Sequence, residues 1–357
     1  MSAASGDSLT VDDLVAIFAE VFNHADATEA LDFFASGGRA AEAGEIFSRI
    51  EQRTGRQLPT SLLLRAPTPS QLHLRLADYR DTTVEAVLDE GTRPPVFLLP
   101  DASSSAIWAH PFCEGFGAGH PTYALRLPHF ADIARVPSIE SLASTYIEAL
   151  CEVAPTGPII LYGFSMGGII GFEMTKQLEA RGRTVIALGM GDSPSPPRLP
   201  GARLSKQVRS SCRELTQATW NERRAVARMT VALLLWHLRN VAKSFLKELR
   251  RGRVTVPQLF LRQIRHRTSF PNRYREGEWT SGWNLMDAAY RYELGAPVAA
   301  PIVLIRVHPL HRHDKLGWEG HSRTGTIMEV VEGSHLYFEH KRAGEIFRAA
   351  IDARPRA

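Results

Sequence analysis

Short apolar runs alternate with segments of helical periodicity from about residue 96 to the end of the chain. The runs lie at 96–100, 123–127, 158–160, 184–190, 301–307 and 326–330. Helical patterns lie between or after them, at 139–153, 169–178 and 342–351. Apolar strands that alternate with helices are typical of a parallel sheet covered on both faces. The pattern therefore predicts an α/β fold for this part of the chain.

The beginning of the chain has a different pattern. Between residues 9 and 78, apolar residues recur at helical spacing, as at Leu14, Ile17 and Val21. This spacing predicts a small all-α unit at 9–78. Residues 79–94 are polar and run into two prolines, so we predict a linker there and a second domain at 95–355.

The composition narrows the class of protein. A chain of 357 residues has room for about two domains, and 44% apolar with 22% charged residues is ordinary for folded domains. No stretch approaches the roughly 20 apolar residues of a membrane span, and the N-terminus lacks the features of a secretory signal. Cys113, Cys151 and Cys212 are widely spaced. We therefore expect a cytoplasmic protein with reduced thiols and no disulfide framework.

A chemical motif follows the strand predicted at 158–160. Residues 163–167 read G-F-S-M-G, and a helical pattern follows them. Strand, G-x-S-x-G and helix is the layout of a nucleophile elbow, a sharp turn that presents its serine. Gly163 and Gly167 suit this turn because a side chain at either place would collide with the neighbouring strand or helix. We predict that Ser165 is a nucleophile and that the backbone N–H of Met166 faces an oxyanion.

A serine nucleophile needs a base, and the base needs an acid that orients it. His335 follows the last predicted strand and precedes the last helix, so we expect it on a loop at the carboxyl end of that strand. Two carboxylates fit the role of the acid. Asp192 ends the strand after the elbow helix, and Asp314 follows the next strand. The residues alone leave both open.

Four short runs in the N-terminal unit resemble an acyl or peptidyl carrier domain. They are D-F-F-A-S-G-G at 32–38, S-R-I-E at 48–51, G-R-Q-L-P at 55–59 and A-P-T-P at 66–69. Such domains carry G-G-D-S-L, whose serine takes the phosphopantetheine arm. Here Ala40 stands at that position, and alanine has no hydroxyl to esterify. The resemblance therefore implies no phosphopantetheine attachment, through natural degeneracy or through an engineered serine-to-alanine change.

The second domain resembles the carrier-linked thioesterases of polyketide and nonribosomal-peptide pathways. The matching residues are D-S-P at 192–194, the run from Pro301 to Val307 and L-G-W at 316–318, and the resemblance covers about 96–355 apart from the lid. It implies an α/β-hydrolase fold with a helical lid at about 200–295, preceded by the carrier-like bundle. It also implies that Asp192 is the acid. In α/β-hydrolases the loop after the strand that corresponds to 96–100 supplies a second oxyanion N–H, which we assign to the backbone of Asp101.

The predicted lid is strongly basic. Residues 203–253 contain thirteen Lys or Arg and three Glu, and 231–249 have a helical pattern with an apolar face. The basic face has three interpretations: a solvated surface, a docking face for an acidic carrier domain and the phosphate of its arm, or a contact with an anionic membrane. No motif indicates nucleic-acid binding. His308, His311 and His313 crowd one loop without a distant ligand, so we expect no metal site.

The resemblance implies a function for the predicted site. It indicates a serine thioesterase that releases an acyl, polyketide or peptidyl chain through an acyl-Ser165 intermediate, by hydrolysis or cyclisation. Because Ala40 cannot hold the substrate, we expect the acyl chain to arrive on a separate acyl or peptidyl carrier protein, for example one within a synthase complex, or on CoA. The chain itself then binds no cofactor, since phosphopantetheine comes with the partner. Two other interpretations stay open: an acyltransferase to an external amine or alcohol, and a non-catalytic docking protein of a synthase complex.

Overall fold

A computed structural model describes most of the chain outside the predicted lid. The described residues are 9–56, 58–80, 82–101, 106–126, 138–196, 288–289, 291–307, 315–332 and 338–354. No helix among them is long and apolar enough to cross a membrane.

A seven-stranded sheet forms the centre of the molecule. Its strands are β1 (Val84–Leu88), β2 (Val96–Leu99), β3 (Thr122–Leu125), β4 (Ile159–Phe164), β5 (Val185–Gly191), β6 (Ile302–Val307) and β7 (Thr326–Val331). They lie in the order β1-β3-β2-β4-β5-β6-β7, and every pair is parallel except β1 with β3. Strand β4 is therefore the central strand. The parallel sheet predicted from the apolar runs is confirmed.

Helices cover both faces of the sheet. The described α-helices are α1 (Val11–Phe22), α2 (Ala40–Thr54), α3 (Pro69–Ala77), α4 (Ala109–Phe116), α5 (Ile139–Val153), α6 (Met166–Ala180) and α7 (His340–Asp352). Alternate residues of β4 point to opposite faces. Ile159 and Leu161 pack with α5 and α6, whereas Ile160 and Tyr162 pack with α4 and α7. Both faces of the strand are buried, which is why its sequence is a continuous apolar run.

The described residues of the N-terminal unit form helices around a core of their own. Thr10 caps α1 in a capping box with Asp13, and a 3₁₀ turn (Thr60–Leu64) lies between α2 and α3. Leu14, Ile17, Phe33 and other apolar side chains are fully buried between these elements. The identity of this unit as a carrier-like domain and the domain limits at 78 and 95 stay predictions.

Residues 84–88, inside the predicted linker at 79–94, form strand β1, which was not predicted from the sequence. This strand pairs with β3 at the edge of the sheet. Its most buried side chain is Glu85, 4% exposed, so the usual apolar alternation of a strand is broken at the second of its five residues. A buried carboxylate in place of an apolar residue removed the sequence signal.

Most of the predicted lid lies outside the described residues, including the basic segment at 231–249. Its last residues are described. Ala288, Ala289 and Tyr292 are buried in the core on the side of α5 and α6. The Tyr292 hydroxyl donates a hydrogen bond to Glu173 of α6. The end of this insertion is therefore fixed to α6, the helix that follows Ser165.

Helices α4 and α7 approach each other backbone to backbone. A Cβ atom added at Gly115 of α4 would overlap the carbonyl of Lys341, and one added at Gly344 of α7 would overlap the carbonyl of Phe112. Both carbonyls belong to the helix backbone, so they can move aside only if the two helices separate.

We therefore expect Gly344→Ala to lower the free energy of unfolding by roughly 1–3 kcal/mol, because the two helices must separate. Gly44→Ala in α2 is the matched control, since a Cβ there would meet nothing within 4 Å. That change is expected to raise the free energy of unfolding by about 0.5–1 kcal/mol, as alanine favours helix. Urea denaturation measures both variants. Equal effects of the two changes would contradict the close approach of α4 and α7.

Candidate active site

Ser165 lies in a sharp turn between the central strand β4 and helix α6. Its backbone has φ 53° and ψ −116°, a conformation that residues other than glycine rarely adopt. Its N–H donates to the carbonyl of Gly191 at 2.8 Å, and its side chain makes no capping bond to its own helix. The strand–turn–helix layout predicted for the elbow is confirmed. Ser165 is half-buried at the carboxyl edge of the sheet.

The two glycines of the motif stand where a side chain would collide with backbone. A Cβ at Gly163 would overlap the backbone of Gly167. A Cβ at Gly167 would lie 2.5 Å from the carbonyl oxygen of Leu99, in β2. The steric reason given for both glycines is thus confirmed, and the start of α6 lies directly against the end of β2.

Asp192 lies beside Ser165, at the end of the neighbouring strand. Phe164 and Gly191 are paired in the register of β4 and β5, so the residues that follow them are neighbours. The Asp192 backbone donates to the carbonyl of Ile305 at 2.7 Å, and its Oδ1 accepts a long hydrogen bond from the N–H of Val307 at 3.4 Å. Strand β6 therefore holds both the backbone and the carboxylate of Asp192.

The charge of Asp192 also acts on Tyr162 of β4. Burial, and secondarily the negative charge of Asp192, raise the pKa of the Tyr162 hydroxyl far above its ordinary value. Tyr162 is therefore neutral at any physiological pH.

The residue after Asp192 is fixed from two sides. Ser193 is fully buried, and its carbonyl accepts a hydrogen bond from Trp318 Nε1 at 2.7 Å. On its other side, a Cβ added at Gly168 of α6 would lie 2.6 Å from the Cβ of Ser193. No local pattern in the sequence predicts a contact of Trp318 with this loop, because Trp318 and Ser193 lie 125 positions apart.

The other predicted site residues are described only in part. Asp101 is half-buried, and it lies two residues after Leu99, the residue of β2 that approaches Gly167. His335 and Asp314 lie outside the described residues. Ala40 is exposed at the first position of α2. Among the residues that the structure describes, no cluster of three or more His, Cys, Asp or Glu could hold a metal ion. His308, His311 and His313 lie outside them.

A comparison with known families identifies the protein family to which this chain belongs. Residues 94–353 match the model of the thioesterase domain. The chain belongs to the thioesterase domain family.

Two relatives are parts of large synthases. A stretch covering 30% of the chain is 38% identical to 5% of a non-reducing polyketide synthase of Pseudevernia furfuracea. A stretch covering 45% of the chain is 30% identical to 12% of surfactin synthase subunit 3 of Bacillus subtilis. The chain thus spans a small part of the length of the curated relatives it matches.

One solved structure resembles nearly the whole chain. It is a four-domain nonribosomal peptide synthetase bound to AMP and glycine, and it matches 99% of this chain with a TM-score of 0.51 at 18% identity. The match covers 27% of that synthetase. At this identity the likeness shows the fold alone.

An aromatic cluster lies beside the elbow of this thioesterase domain, and sequence reasoning missed it. Phe164, the residue before Ser165, contacts Trp108, Phe338 and His340, with ring centroids 6.1, 5.0 and 4.7 Å away. Trp108 also stacks on His340 at 5.4 Å. The cluster joins the segment after Asp101, the elbow strand and the start of α7. Single aromatic residues without periodicity gave no signal for it.

The packing of Gly168 against Ser193 leads to a double-mutant test. Gly168→Ala is expected to lower the free energy of unfolding by roughly 1–3 kcal/mol, because the new methyl group overlaps Ser193. Adding Ser193→Gly removes the overlapping atoms.

The two changes are therefore expected to couple favourably by about 0.5–3 kcal/mol in urea denaturation of the single and double variants. Strictly additive effects would show that the loop carrying Asp192 does not rest on α6.

Proposed function

We propose that this thioesterase domain is a serine hydrolase that releases an acyl, polyketide or peptidyl chain from a thioester. The observation that carries the proposal is the position of Ser165 in a strained elbow, directly beside Asp192 at the end of the next strand. A buried, strained turn that presents a hydroxyl at the carboxyl edge of a parallel sheet is the arrangement of a nucleophile. Membership of the thioesterase family gives the class of bond.

The reaction then has two stages. Ser165 Oγ attacks the thioester carbonyl while His335 takes its proton, and Asp192 orients the imidazole. The N–H groups of Met166 and Asp101 stabilise the tetrahedral oxyanion. His335 returns the proton to the departing thiol, which leaves an acyl-Ser165 ester. Water, or a hydroxyl or amine of the acyl chain itself, attacks this ester with His335 as the base and releases an acid or a ring.

The described residues on either side of His335 support its role as the base. Strand β7 ends at Val331, next to β6, whose last residue donates to Asp192. Three residues beyond His335, Phe338 packs against Phe164, the residue before Ser165. Three residues of chain span at most about 11 Å. The flanks of His335 therefore lie at the strand ends that carry Asp192 and Ser165.

The contacts of Asp192 support it over Asp314 as the acid. Its backbone and its Oδ1 both bond to β6, and its neighbour Ser193 is held by Trp318. A carboxylate held in this way keeps the orientation that an acid of a triad needs.

The substrate is proposed to arrive from another molecule. Ala40 has no hydroxyl for a phosphopantetheine arm, so the N-terminal unit cannot present an acyl chain. The polyketide and peptide synthases among the relatives favour an acyl or peptidyl carrier protein in trans as the donor, with CoA as the other source.

The proposal is tested by the intact mass of the protein after incubation with an acyl thioester of N-acetylcysteamine. We expect a mass increase equal to one acyl group, located on the peptide that contains Ser165, and none in Ser165→Ala. Full turnover by Ser165→Ala would refute the proposal. Product analysis with added amines or alcohols separates hydrolysis and cyclisation from transfer to an external acceptor.

The choice of acid is tested with a matched pair of variants. Asp192→Asn is expected to lower kcat by roughly 10²–10⁴-fold, because the imidazole loses its orienting carboxylate. Asp314→Asn is expected to keep a kcat close to that of the wild type. The reverse result would assign the acid to Asp314.

A further inference from the structure

The N-terminal unit and the thioesterase domain share buried side chains in both directions. Ile107, just before α4, is 4% exposed and lies in the core of the N-terminal unit with Leu14 and Phe33. Leu64, from the 3₁₀ turn of the N-terminal unit, is 7% exposed and lies in the thioesterase core beside α4 and α7. Each unit therefore completes the apolar core of the other.

An aromatic stack lies between these two side chains. Phe34 of the N-terminal unit packs against both cores. Its ring lies parallel to the imidazole of His110 in α4, with centroids 3.8 Å apart and an interplanar angle of 6°. Burial lowers the pKa of His110, although the charges of Asp32 and Glu114 oppose this effect. The imidazole is thus a neutral, half-buried part of the contact.

The polar contacts reach the sheet itself. Glu85 of β1 is buried, and its carboxylate accepts hydrogen bonds from the Ser61 hydroxyl at 3.0 Å and from Arg75 at 3.5 Å. Both donors belong to the N-terminal unit. Separation of the unit from the sheet would therefore expose apolar surface and break both of these hydrogen bonds of Glu85.

The same contact leads directly to the elbow. Ile107 and Trp108 are adjacent, and their side chains enter different cores. Trp108 packs against Phe164 at 6.1 Å and against Tyr162 at 5.8 Å. Phe164 immediately precedes Ser165. Two neighbouring residues thus connect the core of the N-terminal unit to the strand that presents the nucleophile.

We propose that the N-terminal helical unit is a fixed part of the thioesterase, and that Phe34 and Ile107 act as positioning residues for the segment 106–110, which follows the loop after Asp101. This inference rests on the proposed function of Ser165. A carrier that delivers substrate must leave its docking face, whereas this unit shares two cores and a buried carboxylate with the catalytic domain. Its role is to hold the segment from Ala106 to His110 against the elbow.

The full-length chain and four variants test the proposal in steady-state hydrolysis of an acyl-N-acetylcysteamine thioester. Phe34→Ala and Ile107→Ala are expected to lower kcat roughly tenfold with little change in KM, since misplacement of the catalytic groups affects the reaction more than binding. His110→Phe keeps a flat ring in the stack and is expected to retain kcat. Leu74→Ala, at a side chain 68% exposed on the same unit, is the surface control and is also expected to retain it.

An NMR titration of the histidines measures whether Phe34 still covers the imidazole of His110. In Phe34→Ala the pKa of His110 is expected to rise towards its ordinary value, because water reaches the imidazole. Two results would overturn the proposal: wild-type kcat in folded Phe34→Ala and Ile107→Ala proteins, or ¹⁵N relaxation showing that the N-terminal unit tumbles independently of the catalytic domain. An acyl adduct on Ser165 in the same preparations shows that the proposed function stands when this inference fails.

Discussion

The close backbone contact at the start of α6 is the constraint on which the candidate site depends. The helix can lie against the end of β2 because Gly167 has no side chain, and against the loop after β5 because Gly168 has none. Ser165 is thereby forced to a positive φ, a conformation that costs of order 1–3 kcal/mol. The hydrogen bond from its N–H to Gly191 and the packing of the helix hold the turn in place. The cost is offset by burial of α6 against β2, β4 and β5.

The same contacts bring three parts of the chain to one edge. Strand β2 leads to Asp101, β4 to Ser165 and β5 to Asp192, and all run parallel, so their carboxyl ends meet. Strand β6 then fixes Asp192 through its backbone. Parallel strands with helices on both faces thus supply the geometry, and the small residues of the elbow determine how closely the groups approach. The aromatic cluster around Phe164 stabilises this edge from the side of α4 and α7.

Local patterns in the sequence predicted the parallel sheet and the elbow turn, because both depend mainly on residues that are close together along the chain. The apolar runs predicted the sheet, and G-F-S-M-G predicted the turn together with its steric reason. Strand β1 was not predicted because Glu85 occupies its buried position. The hydrogen-bond partners of Glu85 lie 24 and 10 residues away along the chain. The contacts of Trp318 with Ser193 and of Ile107 with the N-terminal core were also invisible, since they join distant segments. Which carboxylate serves as the acid could not be decided from the residues alone, because both follow strands.

The most direct measurement is an experimental structure of the protein with a stable acyl mimic bound covalently to Ser165. We predict that the carbonyl oxygen of the mimic lies about 2.7–3.1 Å from the backbone nitrogens of both Met166 and Asp101. We also predict that His335 lies between Ser165 and Asp192. A mimic whose oxygen points away from both nitrogens, or a His335 that contacts neither residue, would refute the proposed catalytic site.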